Sequence, residues 1–316
     1  MLRVHFTAED LARVRVAPGP DPMWEILLSL HVLRQRSATP VFGTWRANVR
    51  TTLPDDARWL MQLAPPVGYS PDFLTPTAGS CALDAGIDAV LSTPLESLRA
   101  DLAQLGNQQR LDPRTHLLAT GDVATLDSLG AALRGYYRHA LAPIWDEVRA
   151  VVDADRAVRA RSFLDGGCEG MLSALHPTIS WTPHVLSIES RFPQRDVHLR
   201  GQGLVLVPSY FCWERPIMLR DQRRAPVLVY PIARDLHLPN LGKRSLEALL
   251  GRTRAAALEV IAGGCTTTEL ARRLGISAAT ASTHASVLRD AGLAVAQRHR
   301  NSVLHTASAL GVELLS

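Results

Sequence analysis

The chain has 316 residues, of which 47% are hydrophobic and 20% are charged, and its formal net charge is +4. This composition is too apolar for a disordered chain, and the length allows two or more domains with full cores. The sequence has no apolar run long enough to cross a bilayer and no secretory signal at its start, so we expect a cytoplasmic protein. The scattered cysteines Cys81, Cys168, Cys212 and Cys265 lack metal-ligand spacing and are expected to be reduced thiols.

Helices dominate the predicted structure of residues 1–177. A short strand at 2–6 is followed by a helix start near residue 7, and Asp21-Pro22 combines an N-cap with proline in the first helical turn. The sequence Thr93-Pro94-Leu95-Glu96 has the form of a capping box and predicts a helix that ends near Leu105. Other helices are expected at about 40–50, 54–64, 122–139 and 143–163, with a proline-rich loop at 65–77 and a helix end at Gly166-Gly167.

Short apolar runs bounded by proline and glycine replace the helical pattern at residues 178–232. Such runs are typical of strands, and they predict a small, mostly antiparallel sheet. The expected fold class is therefore α+β, with helices packed on one compact sheet in an N-terminal domain of residues 1–240. Residues 233–244 are predicted to form the linker to a C-terminal domain at 241–316.

Residues 266–293 have the pattern of a helix-turn-helix and are the most specific stretch of the chain. Thr266 can cap a first helix, with Glu269 completing a capping box, and Gly275 can end that helix in the left-handed conformation. Ser277 can cap a second helix, along which apolar and small residues recur at helical spacing. We also expect a helix at 245–262 ahead of this pair, and a two-stranded wing behind it with its tip at 298–302.

The second helix would present short hydroxyl side chains on its outer face, where hydroxyls can donate to phosphates or base edges. Arginines on the helices would contact phosphates, and those at the tip of the wing would contact phosphates or the minor groove. The candidate DNA contacts are Ser277, Thr280, Ser282, Thr283 and Ser286, with Arg272, Arg273, Arg289, Arg298 and Arg300. Residues 241–316 hold nine Lys/Arg and five Asp/Glu, whereas residues 1–240 hold 25 of each, so the net positive charge lies where phosphate attraction requires it.

Glu269-Leu270-Ala271, Thr280-Ala281-Ser282-Thr283-His284 and Val287-Leu288-Arg289-Asp290-Ala291-Gly292-Leu293 carry a family resemblance. Residues 245–310 resemble the ArsR winged-helix regulators, and about 240 residues ahead of a winged helix are similar to large actinobacterial members with an uncharacterised N-terminal domain. The resemblance implies a homodimeric bacterial regulator, associated with the nucleoid, that binds double-stranded operator DNA and responds to an effector.

The familiar metal sites of this family are missing from the sequence. Metal-sensing members carry Cys-x-Cys on the helix before the recognition helix, and the matching positions here are Ala271 and Arg273. Members that bind zinc on the C-terminal helix use pairs of Asp, His and Glu, whereas this chain has Glu313 alone in that region. We therefore expect no metal and no cofactor, and a signal that arrives from the other 240 residues.

All seventeen aromatic residues lie in residues 1–240, and two interpretations of them stay open. They can simply form the larger core of the larger domain, or some of them can line a pocket for a small-molecule effector. The pocket candidates are Trp24, Trp45, Trp59, Tyr136, Tyr137, Tyr210 and Trp213. An enzyme at residues 1–232, with the winged helix used for protein contacts, is the alternative function; the sequence has no familiar catalytic motif, so we do not expect an enzyme.

Overall fold

A computed structural model describes residues 1–35, 39–54, 56–76, 82–189, 194–213, 215–219, 225–232, 243–299 and 302–315. The chain divides into two compact units, Met1–Ala233 and Arg234–Ser316. Helices and small sheets occur in both units, which confirms the α+β class. Cys81 and nearly all of the predicted linker at 233–244 lie outside the described residues.

Helices make up most of the N-terminal unit. They are α1 (Ala8–Ala12), α2 (Pro22–Arg34), α3 (Thr39–Thr52), α4 (Ala57–Leu63), α5 (Leu83–Leu91), α6 (Leu95–Gly106), α7 (Pro113–Thr120), α8 (Val123–Tyr136) and α9 (Trp145–Ser173). Asp21 caps α2 as predicted, since its carboxylate accepts hydrogen bonds from the backbone N–H groups of Met23 at 3.0 Å and Trp24 at 3.3 Å. The sequence prediction missed α5 and α7.

The capping box predicted at Thr93 is wrong. Pro94 occupies the N-cap position of α6, and no side chain caps that helix. The Thr93 hydroxyl instead donates to the backbone carbonyl of Ala89, one turn back in α5. A threonine hydroxyl readily bonds to the backbone carbonyl four residues earlier, and at Thr93 this bond takes the place of the predicted cap of α6.

The helix predicted at 143–163 ends at Gly166-Gly167 as expected, and beyond a kink at these residues a second helical segment continues α9 to Ser173. Gly166 and Gly167 leave the helical conformation, Gly167 with φ +63°, which a residue with a side chain rarely adopts. Beyond the kink the chain folds back, so that a Cβ added to Gly170 would lie 3.2 Å from the carbonyl oxygen of Ser162. One π-helical turn and one 3-10 turn join α8 to α9 where the first of the two long helices was expected to run to 139.

The strands of the N-terminal unit are short. They are β1 (Leu2–His5), β2 (Arg15–Val16), β3 (Ile179–Thr182), β4 (Val185–Ile188), β5 (Arg195–His198), β6 (Val205–Ser209), β7 (Ile217–Met218) and β8 (Val227–Pro231). They form two four-stranded sheets, with the orders β3-β4-β1-β5 and β2-β6-β8-β7. The prediction of one mostly antiparallel sheet is wrong, because the pairs β1–β5, β2–β6 and β6–β8 are parallel.

The sheet that contains β6 and β8 separates two hydrophobic cores. Val207 and Val229 face the core built by the helices, whereas Leu206 and Leu228 face a second core with the end of α9 and the other sheet. Every residue of β6 and β8 is buried, as is typical of parallel strands covered on both faces.

The C-terminal unit is a winged helix. Its elements are α10 (Lys243–Leu250), α11 (Arg252–Ala262), β9 (Cys265–Thr266), α12 (Thr267–Leu274), α13 (Ala278–Asp290), β10 (Ala294–His299), β11 (Ser302–Ala307) and α14 (Ala309–Glu313). The single helix predicted at 245–262 is broken at Gly251, where φ is +79°. Strand β9 was not predicted; it pairs with β11 and makes the wing part of a three-stranded sheet of order β10-β11-β9.

Candidate nucleic-acid interface

The first helix of the helix-turn-helix, α12, is held at both ends by local contacts. The Thr266 hydroxyl accepts a hydrogen bond from the backbone N–H of Glu269 at 3.3 Å. The predicted return bond from the Glu269 side chain is not formed, because that carboxylate accepts from the Arg273 guanidinium instead. Gly275 ends the helix in the left-handed conformation with φ +65°, as expected from the sequence.

The second helix, α13, buries one face of small and apolar residues. Ser277 caps it by accepting from the backbone N–H of Thr280 at 3.1 Å. Ala281, Ala285 and Leu288 are buried in the core of the winged helix. A side chain as small as Ala281 lets α12 and α13 approach closely, so the buried face fixes which residues α13 turns outward.

The outward face of α13 carries the predicted hydroxyls, and the structure separates them by their hydrogen bonds. The hydroxyls of Ser277 and Thr280 lie 2.8 Å apart within the helix cap. The Thr283 hydroxyl donates to the Ala279 carbonyl at 3.1 Å, and Ser286 accepts from Arg289 at 2.6 Å. Ser282 is exposed and makes no hydrogen bond within the described ranges. Its hydroxyl therefore keeps its donor and its acceptor capacity for a ligand, whereas Thr283 has used its donor and Ser286 one of its acceptor positions.

The candidate arginines of the two helices are exposed and weakly held. Arg272 is largely exposed and lies 3.9 Å from the Glu269 carboxylate, which Arg273 contacts more closely. Arg289 contacts Asp290 at 3.3 Å as well as Ser286. Exposed ion pairs of this kind contribute at most about 1 kcal/mol, so a phosphate can replace either carboxylate. Of the three guanidiniums, that of Arg289 lies beside a hydroxyl of α13, whereas Arg272 and Arg273 are exposed on α12.

The wing has the two predicted strands. Its two candidate arginines lie near the end of β10 in the sequence, where the described residues stop. In the antiparallel pair of β10 and β11 the backbone of Arg298 pairs with Val303. Its side chain, and all of Arg300, lie outside the described residues. The structure thus gives the strands that would place the predicted wing contacts, and no geometry for the contacts themselves.

His305 joins the wing to α12, a role that the sequence analysis did not predict. It is only 5% exposed, and its Nε2 lies 2.9 Å from the hydroxyl of Thr267 in the first turn of α12. Burial lowers the pKa of His305, and the charge of Arg289 lowers it further. The imidazole is therefore neutral at physiological pH. An isolated histidine in an alternating strand gives little signal that it would be buried at a junction.

No group of three or more His, Cys, Asp or Glu side chains that could hold a metal ion occurs in the part of the chain that the structure describes. At the positions that match the Cys-x-Cys of metal sensors, Ala271 is buried and Arg273 is exposed. Among the same residues, no helix has both the length and the apolar character needed to cross a membrane.

The seven aromatic candidates for an effector pocket are not gathered in one place. Trp24, Trp59 and Tyr136 are buried in the helical core, where the Trp59 indole donates to Thr115 and the Tyr136 hydroxyl contacts Ser29. They act as core residues in this conformation, in line with the first of the two interpretations.

The other four candidates lie partly buried at the edge of that core. Trp45, Tyr210 and Trp213 surround the buried ring of Phe42, with centroid distances of 6.3, 6.0 and 5.6 Å, and Tyr137 packs on Trp145 at 5.2 Å. A separate cavity of about 10 Å³ is lined by Met23, Ile26, Leu27, Leu30, Leu60, Leu74 and Leu133 and by none of the candidates. Ligand pockets usually reach about 300 Å³ or more, so this cavity cannot hold an effector without rearrangement.

Glu25 is a buried carboxylate that the sequence analysis did not single out. Its carboxylate accepts hydrogen bonds from the Ser209 hydroxyl at 2.9 Å and from the backbone N–H groups of Tyr210 at 2.7 Å and Phe211 at 3.0 Å. The side chain thereby holds α2 to the chain that leaves β6. Its role in this conformation is to position the aromatic segment that follows.

The caps, the buried face of α13 and the three-stranded wing define the class of the C-terminal unit as a winged helix-turn-helix domain. A family model described as MarR family matches residues 251–302, which run from the start of α11 to the wing. No curated protein and no solved structure matches the chain. The unit is thus similar to the winged-helix domains of DNA-binding transcriptional regulators, and the match does not extend to the N-terminal unit.

Proposed function

We propose that the protein is a sequence-specific transcriptional regulator that binds double-stranded operator DNA on the nucleoid as a homodimer. The observation that carries the proposal is the outward face of α13, where short hydroxyls are exposed and Arg289 makes surface contacts with Ser286 and Asp290. A recognition helix with such a face can enter the major groove, with the hydroxyls at base edges and the arginines at phosphates. Ser282 and Arg272 are the contacts that the geometry favours most.

Within this proposal the winged helix is ArsR-like. The match to the MarR family supports the broader class, and the three segments that carry the ArsR resemblance lie on α12, on α13 and at the turn into β10. An ArsR-like and a MarR-like assignment differ in the subfamily of the winged helix, and both would place α13 in the major groove. The segregation of positive charge into residues 241–316 supports both equally.

The signal that controls this regulator would enter through the N-terminal unit rather than through a metal on the winged helix. Ala271 and Arg273 offer no ligand for a soft metal ion, which supports a non-metal effector. We assign the N-terminal unit to effector binding, dimerisation or both, and not to catalysis. The partly buried cluster of Trp45, Tyr210 and Trp213 is the best remaining place for an apolar effector.

Operator binding tests the proposal directly. Fluorescence anisotropy with the promoter of the protein's own operon should show binding that weakens with salt. Removing both wing charges in Arg298→Ala/Arg300→Ala should lower the slope of log K against log salt by about 2, since each phosphate contact contributes about 0.9. The matched control is Arg252→Ala/Arg254→Ala, which removes two exposed charges from α11 and should leave that slope unchanged.

Two results would contradict different parts of the proposal. Equal salt slopes for the wing variant and the control would reject the wing contacts while leaving α13 in place. Failure of the unaltered protein to bind any genomic fragment at low salt would reject DNA binding itself.

A further inference from the structure

The exposed side of α9 combines small and apolar residues with charged residues of both signs. The side of α9 that faces the core buries Val148 and Val152, whereas the opposite side exposes alanines and leucine at helical spacing. The exposed residues of this side are Ala150, Ala154, Ala157, Ala160 and Leu164. Leu164 is 80% exposed, and the flanking Val158 is 52% exposed. We name this surface, from Arg149 to Asp165, the α9 face.

The α9 face is held rigidly by the buried side of the same helix. Asp155 and Arg159 are buried and contact each other at 3.1 Å, and the Tyr230 hydroxyl donates to Asp155 at 2.7 Å. Arg159 also donates to the carbonyl of Ala174 beyond the kink. A surface fixed in this way loses little conformational freedom when it binds a partner.

The charges of the α9 face are arranged symmetrically about Ala157 with opposite signs. Asp153 and Arg161 lie four residues to either side of Ala157, and Arg149 and Asp165 lie eight residues to either side. Within α9, Asp153 pairs with Arg156 and Arg161 pairs with Asp165, each at 3.1 Å. Both pairs are exposed and contribute at most about 1 kcal/mol, so a charge of a second copy can replace either partner. When two such helices run antiparallel and cross at Ala157, Asp153 of each copy lies at the level of Arg161 of the partner subunit. A parallel arrangement would place like charges at the same level, which is unfavourable.

We infer that the α9 face binds a second copy of this chain, with the two helices antiparallel and Ala157 at the two-fold axis. The alanines allow the helices to approach closely, and Leu164 then covers Ala150 of the partner subunit. The contact is self-complementary, as a two-fold interface must be. The inference rests on the proposed function in one respect: a two-fold dimer places two winged helices on a near-palindromic site.

Ala157→Glu in the full chain is the first test, because it places two glutamates together at the axis. Like charges in contact cost several kcal/mol, so the dissociation constant of the dimer should rise by about 100-fold or more. The matched control is Ala103→Glu, an exposed alanine within α6 that has Arg99 one turn before it. Sedimentation velocity at micromolar concentrations should show a dimer for the unaltered chain and for the control, and a monomer for Ala157→Glu.

A charge exchange keeps the inference testable even if Ala157→Glu disturbs folding. Asp153→Arg and Arg161→Asp alone should each weaken the dimer, because each creates two contacts between like charges. The double variant Asp153→Arg/Arg161→Asp restores opposite charges across the axis and should recover the dimer. Recovery by the second substitution is not expected if the first acts only by destabilising α9.

Several outcomes would overturn the inference. They are a monomeric unaltered chain, a dimer that survives Ala157→Glu, and a double variant as monomeric as the single ones. DNA binding is measured separately. A chain that dimerises through α9 but binds no DNA would reject the proposed function alone. A chain that binds DNA and whose dimer is unchanged by these substitutions would reject the α9 interface alone.

Discussion

Glu25→Gln should destabilise the N-terminal unit strongly, although it keeps the size of the side chain. One carboxylate oxygen of Glu25 accepts from Ser209 and Phe211, and the other accepts from the backbone N–H of Tyr210 at 2.7 Å. Glutamine can keep only one acceptor, so its amide NH₂ must face a buried N–H donor. Losing a charge-assisted bond costs about 1.5–3 kcal/mol and each buried unsatisfied group about 1–3 kcal/mol. Relief from burying a charge offsets part of this cost, which leaves a net loss of about 3 kcal/mol.

Urea unfolding followed by tryptophan fluorescence measures this loss, since all six tryptophans lie in residues 1–240. The matched control is Glu147→Gln, because the exposed Glu147 carboxylate accepts from the Tyr210 hydroxyl at 2.5 Å. The control should change the free energy of unfolding by less than about 1 kcal/mol, as is usual for an exposed contact. If both variants lost the same free energy of unfolding, the reasoning that the buried Glu25 carboxylate contributes most of the stability of this contact would be refuted.

Two further predictions concern packing and protonation. Ala281→Leu should overpack the crossing of α12 and α13 and cost about 2 kcal/mol of stability, whereas Ala279→Leu, at an exposed position, should be nearly neutral. Amide hydrogen exchange in α12 and α13 measures the difference. Equal protection of these helices in the two variants would contradict the prediction. Burial, with a smaller effect of Arg34, lowers the pKa of His31 from 6.5 to about 4, so the stability it contributes is present above pH 6.5 and falls as the pH drops towards 4. Between about pH 7 and pH 5 the unaltered chain should lose up to about 2 kcal/mol more than His31→Gln, and parallel losses in urea titrations would contradict this.

Local signals in the sequence were sufficient to predict the helix-turn-helix, because the ends of α12 and α13 are set by residues within four positions of each end. Thr266, Gly275 and Ser277 take the positions and conformations that their side chains favour. The helix ahead of them was mispredicted for a local reason too: Gly251 adopts a positive φ and divides one expected helix into α10 and α11. A glycine inside a helical pattern is often tolerated, so the sequence alone did not require a break there.

The sheets of the N-terminal unit could not be predicted in the same way, because their pairing is long-range. Strand β2 has two residues and is defined by its parallel pairing with β6, 190 positions away. One signal was nevertheless present. The runs Val205–Ser209 and Val227–Pro231 are apolar without alternation, which favours parallel strands buried on both faces over the antiparallel sheet that we expected.

For the candidate interface, the sequence could predict which residues face outward on α13 but not which hydrogen bonds they make. The sequence identified the hydroxyls of α13, but their differences arise from hydrogen bonds that depend on rotamers and on neighbours three or four residues away. Thr283 bonds to its own helix and Ser286 to Arg289, while Ser282 is exposed and has no hydrogen bond among the described residues. The aromatic candidates could not be sorted at all, since composition does not distinguish a core ring from a pocket ring.

In the proposed complex with DNA, Arg289 would lie between the phosphate backbone and the charge environment of His305. Its guanidinium bonds to Ser286 and contacts Asp290, and its positive charge is one of the two causes that lower the pKa of His305. A phosphate that draws Arg289 away would release the Ser286 hydroxyl for the groove. The phosphate would also bring negative charge towards the junction and weaken the repulsion that disfavours a protonated His305. In the proposed complex, a substitution of Arg289 should therefore alter both the contact with DNA and the pKa of His305.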